Sequence, residues 1–168
     1  KLRNTARFAL GTLHGLDLAR DSVAAPDLLE IDRWALAELD EVISKVRAAY
    51  VAYEFHTVYH TLYNFCTVTL SARYFDIIKD RLYTFAPRNQ ARRSAQTALY
   101  RIADALARML ATVLVFTADE IWENLPPDEA RPASVHLAEL PAVSGADDQE
   151  LFTRWTEVFS VRDVVLQA

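Results

Sequence analysis

Between Tyr53 and Thr84 the chain reads YEFHTVYHTLYNFCTVTLSARYFDIIKDRLYT, and its apolar residues return at helical intervals. Phe55, Val58, Tyr59, Leu62, Tyr63 and Cys66 form one i, i+3, i+4, i+7 series. Leu70, Tyr74, Ile77, Ile78 and Tyr83 form a second. The β-branched run Thr67-Val68-Thr69 lies between them and lowers helix propensity there. The pattern predicts two stacked helices with a break near Thr67–Thr69. The stretch holds five of the chain's seven tyrosines, so other helices should pack around it.

A chain of 168 residues can bury one sizeable core. With 52% apolar residues and only three glycines it favours helices over a turn-rich β fold. The single cysteine, Cys66, excludes an internal disulfide and a cysteine-based metal cluster, and on its apolar stripe it reads as a small buried hydrophobe. No apolar run approaches a membrane span and no signal peptide is visible, so a cytoplasmic location is expected. The chain lacks an initiator Met and opens inside a helical pattern, which points to a piece of something longer.

The net charge of −5 argues against a chain that is basic throughout, but the charges are unevenly placed. Lys1–Leu16 has three basic residues and no acid. Arg73–Arg108 has eight basic residues against three acids, whereas Asp119–Glu150 has nine acids against Arg131 alone. A polyanion could meet two positive zones while the acidic stretch faces away from it.

In chain order, Lys1–Leu13 is a helix with a Leu2/Ala6/Ala9/Leu13 stripe, ended by Gly11 and Gly15. Arg3 and Arg7 are one turn apart, with Asn4 beside them, either as a binding face or as an ordinary solvated one. Asp17–Pro26 is a polar connector. Asp27 and Glu30 have capping-box spacing, and the helix they open runs to about Ala52 on Ile31, Ala35, Leu39, Val42, Val46 and Ala49. Pro87 separates the central stretch from a long core helix that Ser94 is placed to cap. Thr117 and Glu120 form a second capping box, with Phe116 and Ile121 as its hydrophobic staple. Ser134–Pro141 reads as extended, and Ala146–Asp148 opens a last helix carrying Leu151, Phe152, Trp155, Val158 and Phe159.

Candidates for chemistry are few. His56 and His60, at i, i+4, could grip a metal on one helix face, but no third ligand accompanies them. Phosphate-binding glycine loops and the nucleophile elbow are absent, and Asp76, Asp80, Asp119 and Glu120 read as surface or capping groups. Two Glu-x-x-His pairs, which a di-metal bundle needs, do not occur. Tyr74, Lys79, Arg81 and Tyr83 interleave rings with cations, a pattern that could stack bases while holding phosphates and that more often belongs to a core.

KLRNTARF, DRWAL at Asp32–Leu36, the YEFHTVYHTLYNFC…LSARYFDIIKDRLYT run, RRSAQTALY at Arg92–Tyr100, FTADEIWENLP at Phe116–Pro126 and SVHLAELP together resemble the isoleucyl-tRNA synthetase family. The likeness covers nearly the whole chain and falls in that family's C-terminal anticodon-binding helical domain. Thr112 and Val115 stand where family members often have proline. The resemblance implies an all-α bundle of about six or seven helices of the class Ia synthetase type. It assigns residues 1–141 to the bundle and 142–168 to a helix leading into a C-terminal region. The implied role is to grip the anticodon stem and loop of tRNA(Ile), with the catalytic and C-terminal domains of the same parent as further partners. The alternatives are the equivalent valyl-tRNA synthetase domain and a helical protein-interaction module without RNA. Arg3, Asn4, Arg7, Lys79, Arg81, Tyr83, Arg92 and Arg93 are the candidate tRNA contacts: cations for phosphates, Tyr83 for a base. RNA binding requires Arg3 and Arg7 to share a connected face with Arg81, Arg92 and Arg93. The family's ATP-site signatures, resembling H-I-G-H and K-M-S-K-S, are missing. No catalysis and no cofactor are therefore expected in this piece. ATP and magnesium belong to the parent's ligase reaction and zinc to its C-terminal region, and the parent is expected to be a monomer.

Overall fold

The computed structural model describes residues 1–144 and 149–167. Its elements are α1 (Leu2–Thr12), the four-residue α2 (Leu18–Asp21), α3 (Glu30–Val51), α4 (Phe55–Asn64), a π-helical segment (Phe65–Tyr74), α5 (Phe75–Thr84), α6 (Gln90–Leu110), α7 (Val115–Glu123) and α8 (Gln149–Gln167). Short 3-10 turns occur at Ala25–Asp27 and Val135–Leu137. No described helix is long and apolar enough to cross a membrane. The expected start of the last helix at Ala146–Asp148 lies outside the described residues.

The central stretch is one rod instead of two helices. Val58, Leu62, Cys66, Leu70, Tyr74, Ile78 and Leu82 are all buried, a stripe with a strict interval of four. On an ideal α-helix such a stripe drifts by about 40° at each step. The i→i+5 turns of the π segment hold more residues than an α-turn and rotate the stripe back. Where the sequence predicts a break at Thr67–Thr69, the helix widens instead. The Ser71 hydroxyl donates to the Cys66 carbonyl at 2.6 Å, five residues back, and Thr67 donates to the Tyr63 carbonyl at 2.8 Å. Thr5 of α1 reaches the same carbonyl at 3.4 Å, so the widened turn is also fastened from outside.

The stripes of α1 and α3 are buried as expected. Around α6, where Ala95, Ala98, Ala103, Ala105 and Ala107 permit close approach, pack α1, α3, α5 and α7. Trp34 on α3 receives α8, with its ring centroid 4.8 Å from Phe159 and 6.1 Å from Trp155. Leu151 and Phe159 join the same buried core.

The expected caps are where the structure differs most. Asp27 lies in the 3-10 turn and does not cap α3, whose N-cap is Leu29. The cap comes from another helix: the Leu29 N–H donates to Ser94 Oγ at 2.8 Å. Ser94 therefore does not cap α6; Asn89 does, accepting from the Ala91 N–H. α7 begins at Val115, two residues before Thr117, so its capping box does not form, and Phe116 is 91% exposed with no staple. Asp119 instead accepts from Ser134 at 3.0 Å, fixing a segment whose middle is a 3-10 turn and whose ends are extended.

α3 ends in a Schellman motif, in which the Glu54 N–H donates to the Ala49 carbonyl at 2.8 Å and the Tyr53 N–H to the Tyr50 carbonyl at 3.1 Å. The position that this motif gives to glycine is held by Tyr53, at φ 59°. For a residue with a Cβ the left-handed conformation costs about 1–2 kcal/mol. Tyr53→Gly is therefore expected to raise the unfolding free energy of the domain by roughly 0.5–1 kcal/mol, read from the urea midpoint. A fall in stability would show that the ring itself supports the fold.

Candidate functional site

α1 separates two surface grooves. On its α7 side a groove of about 980 Å3 is lined by Arg3, Arg7, His14, Glu120, Asn124 and Pro127, among others. Arg3 and Arg7 are both exposed, one turn apart on the same flank. Arg3 pairs with Glu120 at 2.6 Å. The acidic stretch therefore does not lie wholly away from the N-terminal arginines: its second residue stands directly across from Arg3.

The second groove, about 480 Å3, is lined by Lys1, Asn4, Phe8, Thr67, Lys79 and Tyr83, with others. Tyr83 is exposed, its ring edge-on to Phe8 at 6.5 Å, and Phe8 is stacked on Phe75 at 4.3 Å. Packing thus touches the Tyr83 ring on one side and leaves most of it to solvent. Lys79 pairs with Asp76 at 2.7 Å, an exposed i, i+3 contact of the kind worth little. Its ammonium remains accessible. The exposed Arg88, in the turn that Pro87 makes after α5, adds a cation beyond Tyr83 that the sequence pattern did not single out as a contact. Only the residue's placement after the proline could have flagged it.

The structure brings Arg3, Asn4, Arg7, Lys79 and Tyr83 to the two sides of α1. It does not bring Arg81, Arg92 and Arg93 there as free cations. Arg81 points inward and pairs with Asp32, which is fully buried. The same carboxylate accepts from Tyr74 OH at 2.7 Å and from Ser94 Oγ at 2.5 Å. Burial pushes the Asp32 carboxyl above its ordinary range, while the Arg81 charge and the two hydroxyls pull it back. Burial and the adjacent Asp32 charge push the Tyr74 phenol well up. Arg93 is also buried. It pairs with Asp21 at 2.9 Å and donates to Gln96 Oε1 at 2.9 Å and to the Gly15 carbonyl at 3.4 Å. Arg92 is half-buried and donates to the Phe85 carbonyl at 2.9 Å. The connected face that includes Arg81 and Arg93 is therefore not formed, because their side chains, 11% and 10% exposed, are turned inward to Asp32 and Asp21.

RRSAQT reads differently once these bonds are seen. Gln96 Nε2 donates to the Thr12 carbonyl at 2.8 Å, and Thr97 Oγ1 accepts from the Val23 N–H at 3.1 Å. Arg93, Ser94, Gln96 and Thr97 thus form a polar clamp on α6 that holds the α1–α3 connector, satisfying backbone groups that would otherwise be orphaned.

His56 and His60 are both exposed on α4. Among the described residues no group of three or more His, Cys, Asp or Glu side chains is arranged to hold a metal ion.

A family model described as the anticodon-binding domain of tRNA ligase matches residues 32–168. Among curated relatives, the isoleucine–tRNA ligases of Moorella thermoacetica and Symbiobacterium thermophilum are each 50% identical to this chain, over 100% and 98% of it. That of Syntrophotalea carbinolica is 47% identical over 100% of this chain. In each case the chain spans 18% of the relative.

The division between outward and inward cations is open to test. Removing one partner of a buried pair strands the other, so Asp32→Ala should cost about 3–5 kcal/mol. Lys79→Ala should stay within about 0.5 kcal/mol. Urea unfolding of the two variants checks this, and equal losses would contradict the assignment of Arg81 to the core.

Proposed function

We propose, because this chain belongs to the family of anticodon-binding domains of tRNA ligases, that it grips the anticodon stem and loop of tRNA(Ile) within a longer isoleucine–tRNA ligase. The observation that carries the reading is α1: two exposed arginines on one flank, and Asn4 with the Lys79–Tyr83 groove on the other. Arg3 and Arg7 have the reach and charge for phosphates, and Tyr83 offers a ring face to an unpaired base. Arg92 contributes through its outward side, while Arg81 and Arg93 act only by holding the helices that present the others. Glu120 limits what Arg3 offers at rest. An approaching phosphate can replace that carboxylate, since the pair is exposed and weak.

Within the parent, we assign the joining of isoleucine to tRNA, with its ATP and magnesium, to the catalytic domain, and zinc to the C-terminal region. This domain takes no cofactor, and the parent works as a cytoplasmic monomer. The purified chain is accordingly expected to give no isoleucine-dependent pyrophosphate exchange above a matched blank.

Phosphate contacts release counterions, so Arg3→Ala with Arg7→Ala in the parent enzyme should lower the salt slope of log affinity for tRNA by about 1.5. The loss should be similar for cognate and non-cognate tRNA, because such contacts position without specifying. A salt titration with an unchanged slope in the folded double variant would reduce the two arginines to a solvated helix face.

A further inference from the structure

At one end of the bundle the α3–α4 turn meets the α6–α7 junction. Tyr50 joins them: its hydroxyl donates to the Met109 carbonyl at 2.6 Å and accepts from Thr112 at 2.7 Å. Around this joint large apolar side chains face solvent. Phe116 is 91% exposed, Val51 82% and Tyr53 79%, with Phe55 and Val115 about half exposed. Phe55 lies edge-on to both Tyr50, at 6.1 Å, and Tyr53, at 6.4 Å, so the rings form one patch and not scattered exposures. Tyr53 is held there in a left-handed conformation that glycine would adopt without strain. An aromatic ring is thus kept in solvent at a backbone position that disfavours it.

The charge around the patch decides what covers it. Neither Ala48–Ala72 nor Met109–Ala130 contains a lysine or an arginine, whereas Glu54, Asp119 and Glu120 stand on these segments, and Arg3, which reaches α7 from α1, is paired there with Glu120. RNA needs cations for its phosphates even where bases stack on rings. The Tyr50/Tyr53/Phe55 ring cluster has no cation on its own segment and fits a protein surface, with Phe116 at the junction that Tyr50 ties to it. The chain spans 18% of its curated relatives, so most of such a protein lies outside these residues. We infer that the Val51/Tyr53/Phe55/Phe116 end of the bundle is the seat on which the body of the longer ligase packs, fixing the direction in which the RNA-binding flanks of α1 point. This inference rests on the reading that the chain works within a longer ligase, and it does not depend on which residues touch RNA.

The test uses the full-length ligase with Phe116→Cys, Tyr53→Cys or, as control, the exposed Glu129→Cys, alkylated by N-ethylmaleimide and quantified at the engineered site by peptide mass spectrometry. Cys66 stays silent, because it is buried and burial pushes its thiol up to about 12. Without tRNA, both patch cysteines should react at least about tenfold more slowly than the control, at every enzyme concentration and with no change on adding tRNA. Reaction at the control rate would overturn the inference. So would protection that appears only with tRNA, which would make the patch an RNA surface, or protection that grows with enzyme concentration, which would make it a contact between two copies. Any of these results leaves the salt-slope experiment on Arg3 and Arg7 intact, so the two readings fail separately.

Discussion

The arrangement depends on the buried carboxylate of Asp32. A charge with no access to solvent must be answered within the protein, and three elements answer it: Tyr74 from the π segment, Arg81 from α5 and Ser94 from α6. Because Ser94 also accepts the Leu29 N–H, a hydroxyl that donates to Asp32 starts the helix on which Asp32 sits. α3, the central rod and α6 are locked in register at one point. Tyr74 reaches it only because the π segment returns the rod's stripe to the core.

The helices were legible because their burial is periodic. The stripes of α1 and α3 were assigned residue by residue, and the structure buries them. The starts of α3 and α7 were not legible. Asp27 and Thr117 have cap spacing, but Ser94 supplies the first helix from 65 positions away, and the second begins before its box. Spacing within one helix carries no information about a hydroxyl on another. The supposed break at Thr67–Thr69 failed for a related reason. Low propensity there is real, yet Ser71 and Thr5 fasten the Cys66 carbonyl and hold a wider turn.

The same limit governs the surface. Counting cations along Arg73–Arg108 treats all as available, and two of the four candidate cations in that stretch, Arg81 and Arg93, are spent inside the bundle. A cation opposite an acid more than forty residues away in sequence looks no different from a free one. Arg3 and Arg7 were readable because Lys1–Leu16 has no acid of its own, although Glu120 reaches Arg3 from another helix. The motifs that carry the family resemblance thus divide. RRSAQT and DRWAL build the frame, whereas RNTAR and the KDRLY end present Arg3, Asn4, Arg7, Lys79 and Tyr83 at the surface.

The central claim is that RNA meets the flanks of α1 and the end of α5, and not the buried arginines or the aromatic end of the bundle. Hydrogen–deuterium exchange of the full ligase with and without tRNA(Ile) tests it most directly. Slower exchange on adding tRNA is predicted in α1 and in the turn between Tyr83 and Asn89, with no change at the α3–α4 turn. Protection confined to the α3–α4 turn and the start of α7, with α1 unaffected, would contradict it.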